Sequence, residues 1–162
     1  MAEAKPPESP PPAQDAGAQP GALVDPFRTY NFKLLIDGVN EGHFTQFSAI
    51  KAKVGVIRYR EGGGGAAVRK LAGPLELGEV TLSYGLTQSS ELWDWFQASA
   101  AGEPQRKNVS VLLMGPDGVT EKKRWNLLAA WPTEWNAPAL DALGDTVAIE
   151  SIVITFESFN RG

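Results

Sequence analysis

Chemistry in a protein needs side chains that titrate, attack or ligate close to one another, and this chain is sparing with them. His43 is the only histidine and there is no cysteine, which removes thiolate metal sites, disulfides and cysteine nucleophiles from consideration. His43 falls in an expected strand with Phe44 and Phe47, where a structural histidine explains it better than a general base without a partner. A zinc shell would have to be built from carboxylates alone. The run Gly62-Gly63-Gly64-Gly65 lacks the Lys-Ser/Thr and the helix start that let a glycine loop cradle phosphate, so it reads as a flexible hairpin tip. Ser89-Ser90 has no G-x-S-x-G around it and is accounted for as helix capping. Glu76/Glu79 and Glu91/Asp94 are spaced for exposed faces. Trp125, Trp131 and Trp135 would offer stacking platforms to bases or sugars, but Trp125 and Trp131 at period two fit core positions. The chain reads as non-enzymatic, with no cofactor and no metal expected.

The elements that would hold such residues are legible from composition and period. The chain has 162 residues, 43% hydrophobic and 21% charged, with seven Phe, five Trp and three Tyr, enough for one ordinary hydrophobic core. Residues 1–26 carry seven of the twelve prolines among small and acidic residues, a composition that buries too little apolar surface to offset chain ordering. They read as a proline-rich extended arm, leaving 27–162 as a β domain. No uninterrupted apolar run approaches membrane-spanning length, so the expectation is synthesis in the cytoplasm without stable membrane insertion.

From Phe27 the period is two. Tyr30, Phe32, Leu34 and Ile36 alternate with more polar neighbours, the pattern of a strand with one buried face. Asp37-Gly38 supplies a turn, and His43 to Phe47 are expected to return as the partner strand. In 51–60, Val54 and Val56 share a face with Arg58 and Arg60, whereas Ile57 and Tyr59 lie opposite with Lys51 and Lys53. The apolar face therefore switches near Gly55, through a bulge or through a strand leaving one sheet for another environment. With its glycine tip, 51–84 reads as a long hairpin. Val80, Leu82 and Tyr84 give another half-buried strand.

The period then becomes helical. Leu92, Trp95, Phe96 and Ser99 fall on one face of a helix over 89–101, with Ser89 and Ser90 as cap candidates, Glu91 and Asp94 near its positive end, and Gly102 and Pro104 closing it. Gly115-Pro116-Asp117-Gly118 is a hairpin turn between strands at 108–114 and 121–130, the second presenting Trp125, Leu127, Ala129 and Trp131 on one face. An irregular stretch, 132–145, holds a short helical turn near Leu140. A last strand, 146–159, slips phase between Val147/Ile149 and Ile152/Ile154/Phe156, which predicts a bulge near Glu150. Roughly seven or eight short strands and one helix make a mainly β fold, an antiparallel β-sandwich or small barrel with one α-helix.

The net charge of −4 is unevenly spread. Segment 51–70 sets Lys51, Lys53, Arg58, Arg60, Arg69 and Lys70 against Glu61 alone, a local +5, and residues 71–162 answer with twelve acids against six bases. Such a split is either a solvated face or a pair of surfaces that attract one another between subunits.

Several of these pieces together resemble the tail tube protein family of contractile phages and extracellular contractile injection systems. The opening Asp25-Pro26-Phe27-Arg28-Thr29-Tyr30-Asn31-Phe32 with Ile36-Asp37-Gly38, and the segment Tyr59-Arg60-Glu61-Gly62-Gly63 leading to Arg69-Lys70-Leu71-Ala72-Gly73, carry the likeness. Val80-Thr81-Leu82-Ser83-Tyr84-Gly85, Leu92-Trp93-Asp94-Trp95-Phe96, Trp125-Asn126-Leu127 and Ala130-Trp131-Pro132 continue it in the family's order, over about residues 25–159. Where the family often has histidine-glutamate-glycine near its last strand, this chain has Glu157-Ser158-Phe159-Asn160.

The resemblance implies a structural subunit that forms six-membered rings stacked into a hollow tube inside a contractile sheath. Its long hairpin would join neighbouring subunits in a ring, with Lys53, Arg58, Arg60, Gly62, Gly63, Gly64, Gly65, Arg69 and Lys70 as the candidate inter-subunit or lumen ribbon and Leu92, Trp95 and Phe96 as the core of the helix. The implied partners are further copies of the chain, a sheath protein, baseplate and spike hub proteins, a terminal cap and protein cargo in the lumen. The implied particle is phage tail-like, built in the bacterial cytoplasm and then released or anchored. A phage tail tube conducting DNA is the alternative within this class. A monomeric nucleic-acid- or glycan-binding β-sandwich, using the basic segment and the tryptophans, is the alternative from another class.

Overall fold

The computed structural model describes residues 28–39, 44–60, 62 and 68–162; the expected arm, His43 and the tip residues Gly63, Gly64 and Gly65 lie outside the described residues. In chain order the elements are β1 (Phe32–Ile36), β2 (Phe44–Phe47), β3 (Ala52–Tyr59), β4 (Arg69–Leu77), β5 (Val80–Gly85), α1 (Glu91–Ala100), β6 (Lys107–Met114), β7 (Glu121–Asn136), β8 (Ile149–Thr155) and β9 (Ser158–Arg161). Seven strands form one sheet in the order β1-β6-β7-β8-β5-β2, with β9 added to β7, while β3 and β4 pair with each other in a sheet of their own. Every pairing is antiparallel. This is the mainly β, one-helix fold expected, realised as one bent seven-stranded sheet with the β3–β4 ribbon apart from it.

The bend lies inside β7. Lys107 pairs with Ala130 and Val109 with Leu127, so Asn108 faces both Leu128 and Ala129, the two-against-one arrangement of a β-bulge. Ala129 adopts φ +52, and Asn108 Oδ1 accepts its N–H at 3.3 Å. Up to the bulge β7 pairs with β6 and β9; beyond Ala130, which still pairs with Lys107, β7 pairs with β8. Both halves of the sheet bury side chains in one core, Val109, Val111 and Leu127 from the first and Val80, Leu82 and Ile154 from the second. The bulge also breaks the face expected to unite Trp125, Leu127, Ala129 and Trp131. Leu127 and Ala130 are both fully buried, and Trp131 falls out of phase and is only half-buried.

Two further expectations are corrected. The turn at Asp37-Gly38 exists, with Gly38 at φ +71 and the Val39 N–H donating to the Ile36 carbonyl at 3.1 Å, but β2 does not return against β1. β1 pairs with β6 and β2 with β5, at opposite ends of the strand order. The reason is apolar surface: β6 buries Val109, Val111, Leu112 and Met114, whereas the four residues of β2 bury none completely. Near Glu150 there is no bulge, since β8 runs in unbroken register against β5 from Gly85↔Ile149 to Val80↔Ile154. The slip seen in the sequence arises because Thr146, Val147 and Ala148 precede the strand, and Val147 points into solvent.

Helix α1 lies over β7. Its N-terminal serines act differently from simple caps: the Ser89 Oγ accepts from the Glu91 N–H at 3.4 Å, and the Ser90 hydroxyl donates to Asp94 Oδ2 at 2.9 Å. At the other end Gly102, with φ +88, donates its N–H to the Ser99 carbonyl while the Glu103 N–H reaches the Ala98 carbonyl, the paired bonds of a Schellman motif. Leu92 and Trp95 are buried and Phe96 packs partly buried against the same core, as the helical spacing requires. The Trp95 Nε1–H donates to the Gln105 carbonyl at 2.6 Å, so the large ring is buried with its polar atom satisfied.

Candidate functional site: the exposed ribbon

Lys51 and Gly78 close the root of the β3–β4 hairpin. The Gly78 N–H donates to the Lys51 carbonyl at 2.8 Å, and a Cβ at position 78 would lie 2.9 Å from the Lys51 Cβ, an approach only glycine permits without a shift. The strands then run Ala52↔Leu77, Lys53↔Glu76, Val54↔Leu75 and, beyond an irregularity, Val56↔Ala72, Ile57↔Leu71, Arg58↔Lys70 and Tyr59↔Arg69. Gly55 therefore faces both Gly73 and Pro74. A bulge does sit where the apolar face was expected to switch, but its extra residue belongs to β4. β5 leaves for the main sheet at Val80, so the ribbon ends at Gly78 and is shorter than the 51–84 expected.

The register sorts the side chains onto two faces. One face has Ala52, Leu77, Val54, Leu75, Val56 and Ala72 towards the root and Arg58 with Lys70 at its far end. The other carries Lys53 and Glu76 near the root and Ile57, Leu71, Tyr59 and Arg69 further out. Each face thus mixes apolar and charged side chains, with the apolar ones towards the root on one face and further out on the other. Val54, Val56, Ile57 and Leu75 are each more than half exposed, at 53%, 62%, 52% and 59%. Neither strand has a backbone partner on its outer edge among the described residues. An isolated two-stranded hairpin is at best marginally stable in water, and one with apolar residues on both faces is a surface made to be covered from both.

Charge marks the same region. Arg58 stands directly across from Lys70, and like charges opposite one another on a face repel. Lys53 Nζ lies 3.6 Å from Glu76 Oε2, an exposed pair that contributes little. Arg60 follows β3 and is exposed; at Gly62 a Cβ would meet nothing within 4 Å. The ribbon thus gathers Lys53, Arg58, Arg60, Gly62, Arg69 and Lys70, and it stands apart from Leu92, Trp95 and Phe96 in the core.

Sequence reasoning missed a second exposed apolar segment, between β7 and β8. Leu140 and Leu143 are 84% and 97% exposed and Val147 is 75% exposed. The expected helical turn is instead a tight turn in which the Gly144 N–H reaches the Asp141 carbonyl at 3.2 Å and the Leu143 N–H reaches Asp141 Oδ1 at 3.0 Å. The available signal was the alternation of leucines with Asp141 and Asp145. A groove between β1 and β2, with Tyr30, Phe32, Phe47 and Trp125 in its wall, is lined by no carboxylate, amine or imidazole among the described residues. Among the described residues no three His, Cys, Asp or Glu side chains group as metal ligands, and no helix is long and apolar enough to cross a membrane.

Comparison with known proteins gives one family. The model of the T4-like virus tail tube protein gp19 family matches residues 28–160. Among solved structures, a chain of the anti-feeding prophage cap, where the tube terminates, superposes with a TM-score of 0.77 at 24% identity, covering 93% of this chain and 98% of that one. A chain of the PVC sheath-tube complex of an extracellular contractile injection system, in its extended state, gives 0.75 at 24% identity, covering 85% and 91%. The crystal structure of an Hcp protein gives 0.55 at 10% identity, covering 81% and 96%. A comparison with curated proteins finds no match.

Proposed function

From the premise that this chain belongs to the T4-like virus tail tube protein gp19 family, we propose that it is the inner-tube subunit of a contractile injection system. Six copies close into a ring, and rings stack around a lumen through which protein cargo passes when a sheath contracts. The observation that carries this reading is the ribbon, with apolar side chains exposed on both faces and, among the described residues, no strand paired to either backbone edge. Strand edges left open in this way are normally a liability; in a ring, edge-to-edge pairing between neighbouring ribbons turns the liability into an inner barrel. Each half-exposed Val, Ile or Leu that such pairing covers contributes about 1 kcal/mol, and the contact recurs at every interface because closed symmetry repeats it.

The role is mechanical, with no catalytic step. Trp125 and Trp135 are used in packing, Trp125 against the core and Trp135 edge-on to Trp93 at 4.5 Å. The fold shared with chains of an injection-system baseplate, cap and sheath-tube complex supports sheath, baseplate and cap proteins as partners, in a phage tail-like particle assembled inside the bacterium. Electron microscopy of the purified protein, alone and with its baseplate proteins, tests the reading. Six-fold rings or stacked tubes are expected, and a strictly monomeric protein under both conditions would overturn it.

A further inference from the structure

The two exposed apolar segments of this molecule carry opposite charge. The described part of the ribbon sets Lys51, Lys53, Arg58, Arg60, Arg69 and Lys70 against Glu76, six minus one or +5. Residues 134–150 hold Glu134, Asp141, Asp145 and Glu150 and no lysine, arginine or histidine, −4. Each segment couples its charge to apolar side chains left in solvent, Ile57, Tyr59 and Leu71 on the ribbon, Leu140, Leu143 and Val147 on the β7–β8 connection. Among the described residues nothing covers either. The ribbon's strands pack chiefly on each other, and the connection is stiffened by its own Asp141 turn, which holds Leu143 outward.

We infer that the ribbon of one copy docks on the β7–β8 connection of another copy, residues 137–148 with Glu134 and Glu150 at its two ends. The inference rests on the tube reading and deepens it by naming the surface that receives the ribbon's cationic end. Three observations lead there. Arg58 stands opposite Lys70, and anionic groups approaching that face relieve the repulsion between them. Apolar surface next to the charge gives the contact an attraction that salt does not screen, beside one that it does. The two surfaces are different parts of one chain, so the contact is head-to-tail and repeats from copy to copy, as a ring or a stack requires.

Two variants and their mixture test the contact. Arg58→Glu, Arg60→Glu and Lys70→Glu together take the ribbon from +5 to −1; Glu134→Lys, Asp145→Lys and Glu150→Lys together take residues 134–150 from −4 to +2 and leave the Asp141 turn intact. Each variant alone should need a concentration about tenfold or more above wild type to reach half-maximal assembly, because like-charge juxtaposition at an interface is strongly unfavourable. Mixed in equal amounts they should assemble as alternating copies, since each contact is then between opposite signs again. Thermal melts of the unassembled variants should match wild type, and a misfolded variant could not be rescued by mixing. If wild type assembles and either variant does so equally well, the contact is refuted and the tube reading stands. Loss in both variants without recovery in the mixture likewise refutes the pairing of these two surfaces. A wild type that forms neither ring nor tube overturns the tube reading, and this contact with it.

Discussion

The β6–β7 hairpin and the β3–β4 hairpin are built alike and end in opposite surroundings. Strands β6 and β3 are both eight residues long, both hairpins are antiparallel, and both contain a register irregularity. β6 buries Val109, Val111, Leu112 and Met114, whereas β3 buries nothing completely. The difference lies in the order of side chains. Val109, Val111 and Leu127 keep one phase and reach a single core, so one layer of the same chain covers them. In the ribbon the apolar residues change face at Gly55, so no single layer could cover both halves. A hairpin patterned in this way needs neighbours on two sides, and a tube of repeated subunits supplies them.

The comparison is broken most forcefully on its buried side. Trp95→Ala in α1, over β7, should cost about 3–5 kcal/mol through the cavity it leaves, and it also removes the bond to the Gln105 carbonyl. Chemical denaturation of the unassembled protein reads this directly; a wild-type midpoint would mean that the helix does not seal the core. On the exposed side, Ile57→Ser with Leu71→Ser should shift the stability of the monomer by no more than about 0.5 kcal/mol, as for ordinary surface sites. The same pair should abolish tubes in electron micrographs. Were the monomer to melt much earlier instead, the ribbon would be part of the subunit's own core and the contrast would disappear.

The two bulges sharpen the contrast. At the β7 bulge the left-handed residue is Ala129, at φ +52, a conformation costing a residue with a Cβ roughly 1–2 kcal/mol. Ala129→Gly should therefore raise stability by about 0.5 kcal/mol once the added freedom of the unfolded chain is deducted. Ala129→Val should lower it by more than about 1 kcal/mol, since a β-branched side chain tolerates positive φ poorly. Denaturant midpoints of the two variants moving in the same direction would show that the corner is not set by that torsion.

These particulars explain how far the sequence could be read. The strands with unbroken alternation, the helix with Leu92 and Trp95, and the turn around Asp117 were legible because each depends on neighbours within a few residues. The face switch at Gly55 was legible too, since it is written in β3 alone, but its cause lies in Gly73-Pro74 across the hairpin and needed the register. The break at Ala129 was hidden because alanine gives no sign that its backbone is left-handed; the position is set by Asn108 on another strand. The pairing of β1 with β6 rather than β2 was hidden for a similar reason, since competition between distant strands for apolar surface leaves no local mark. The basic residues of the ribbon could be named, whereas the exposed leucines at 140 and 143 passed for an ordinary turn.

The smallest expected effect concerns how the two hairpins are tied at their ends. At Gly62 the ribbon tip offers no neighbour to a side chain. The β6–β7 turn is held by one carboxylate: Asp117 Oδ1 accepts the N–H groups of Val119 and Thr120 at 3.1 and 3.0 Å, and Oδ2 accepts the Thr120 hydroxyl. The bonds from Thr120 and then Val119 hold the Asp117 carboxyl at a pKa of about 2, against an ordinary value of 3.8. Because the folded value is the lower one, the ionised carboxylate stabilises the fold above about pH 4, and that contribution is lost as pH falls through about 2. Asp117→Asn should therefore be less stable than wild type at neutral pH and converge with it as the pH falls from 4 towards 2. Denaturation midpoints measured across that range check the convergence. Parallel curves would show that the carboxylate does not secure the turn, and that the covered hairpin is held by its core alone.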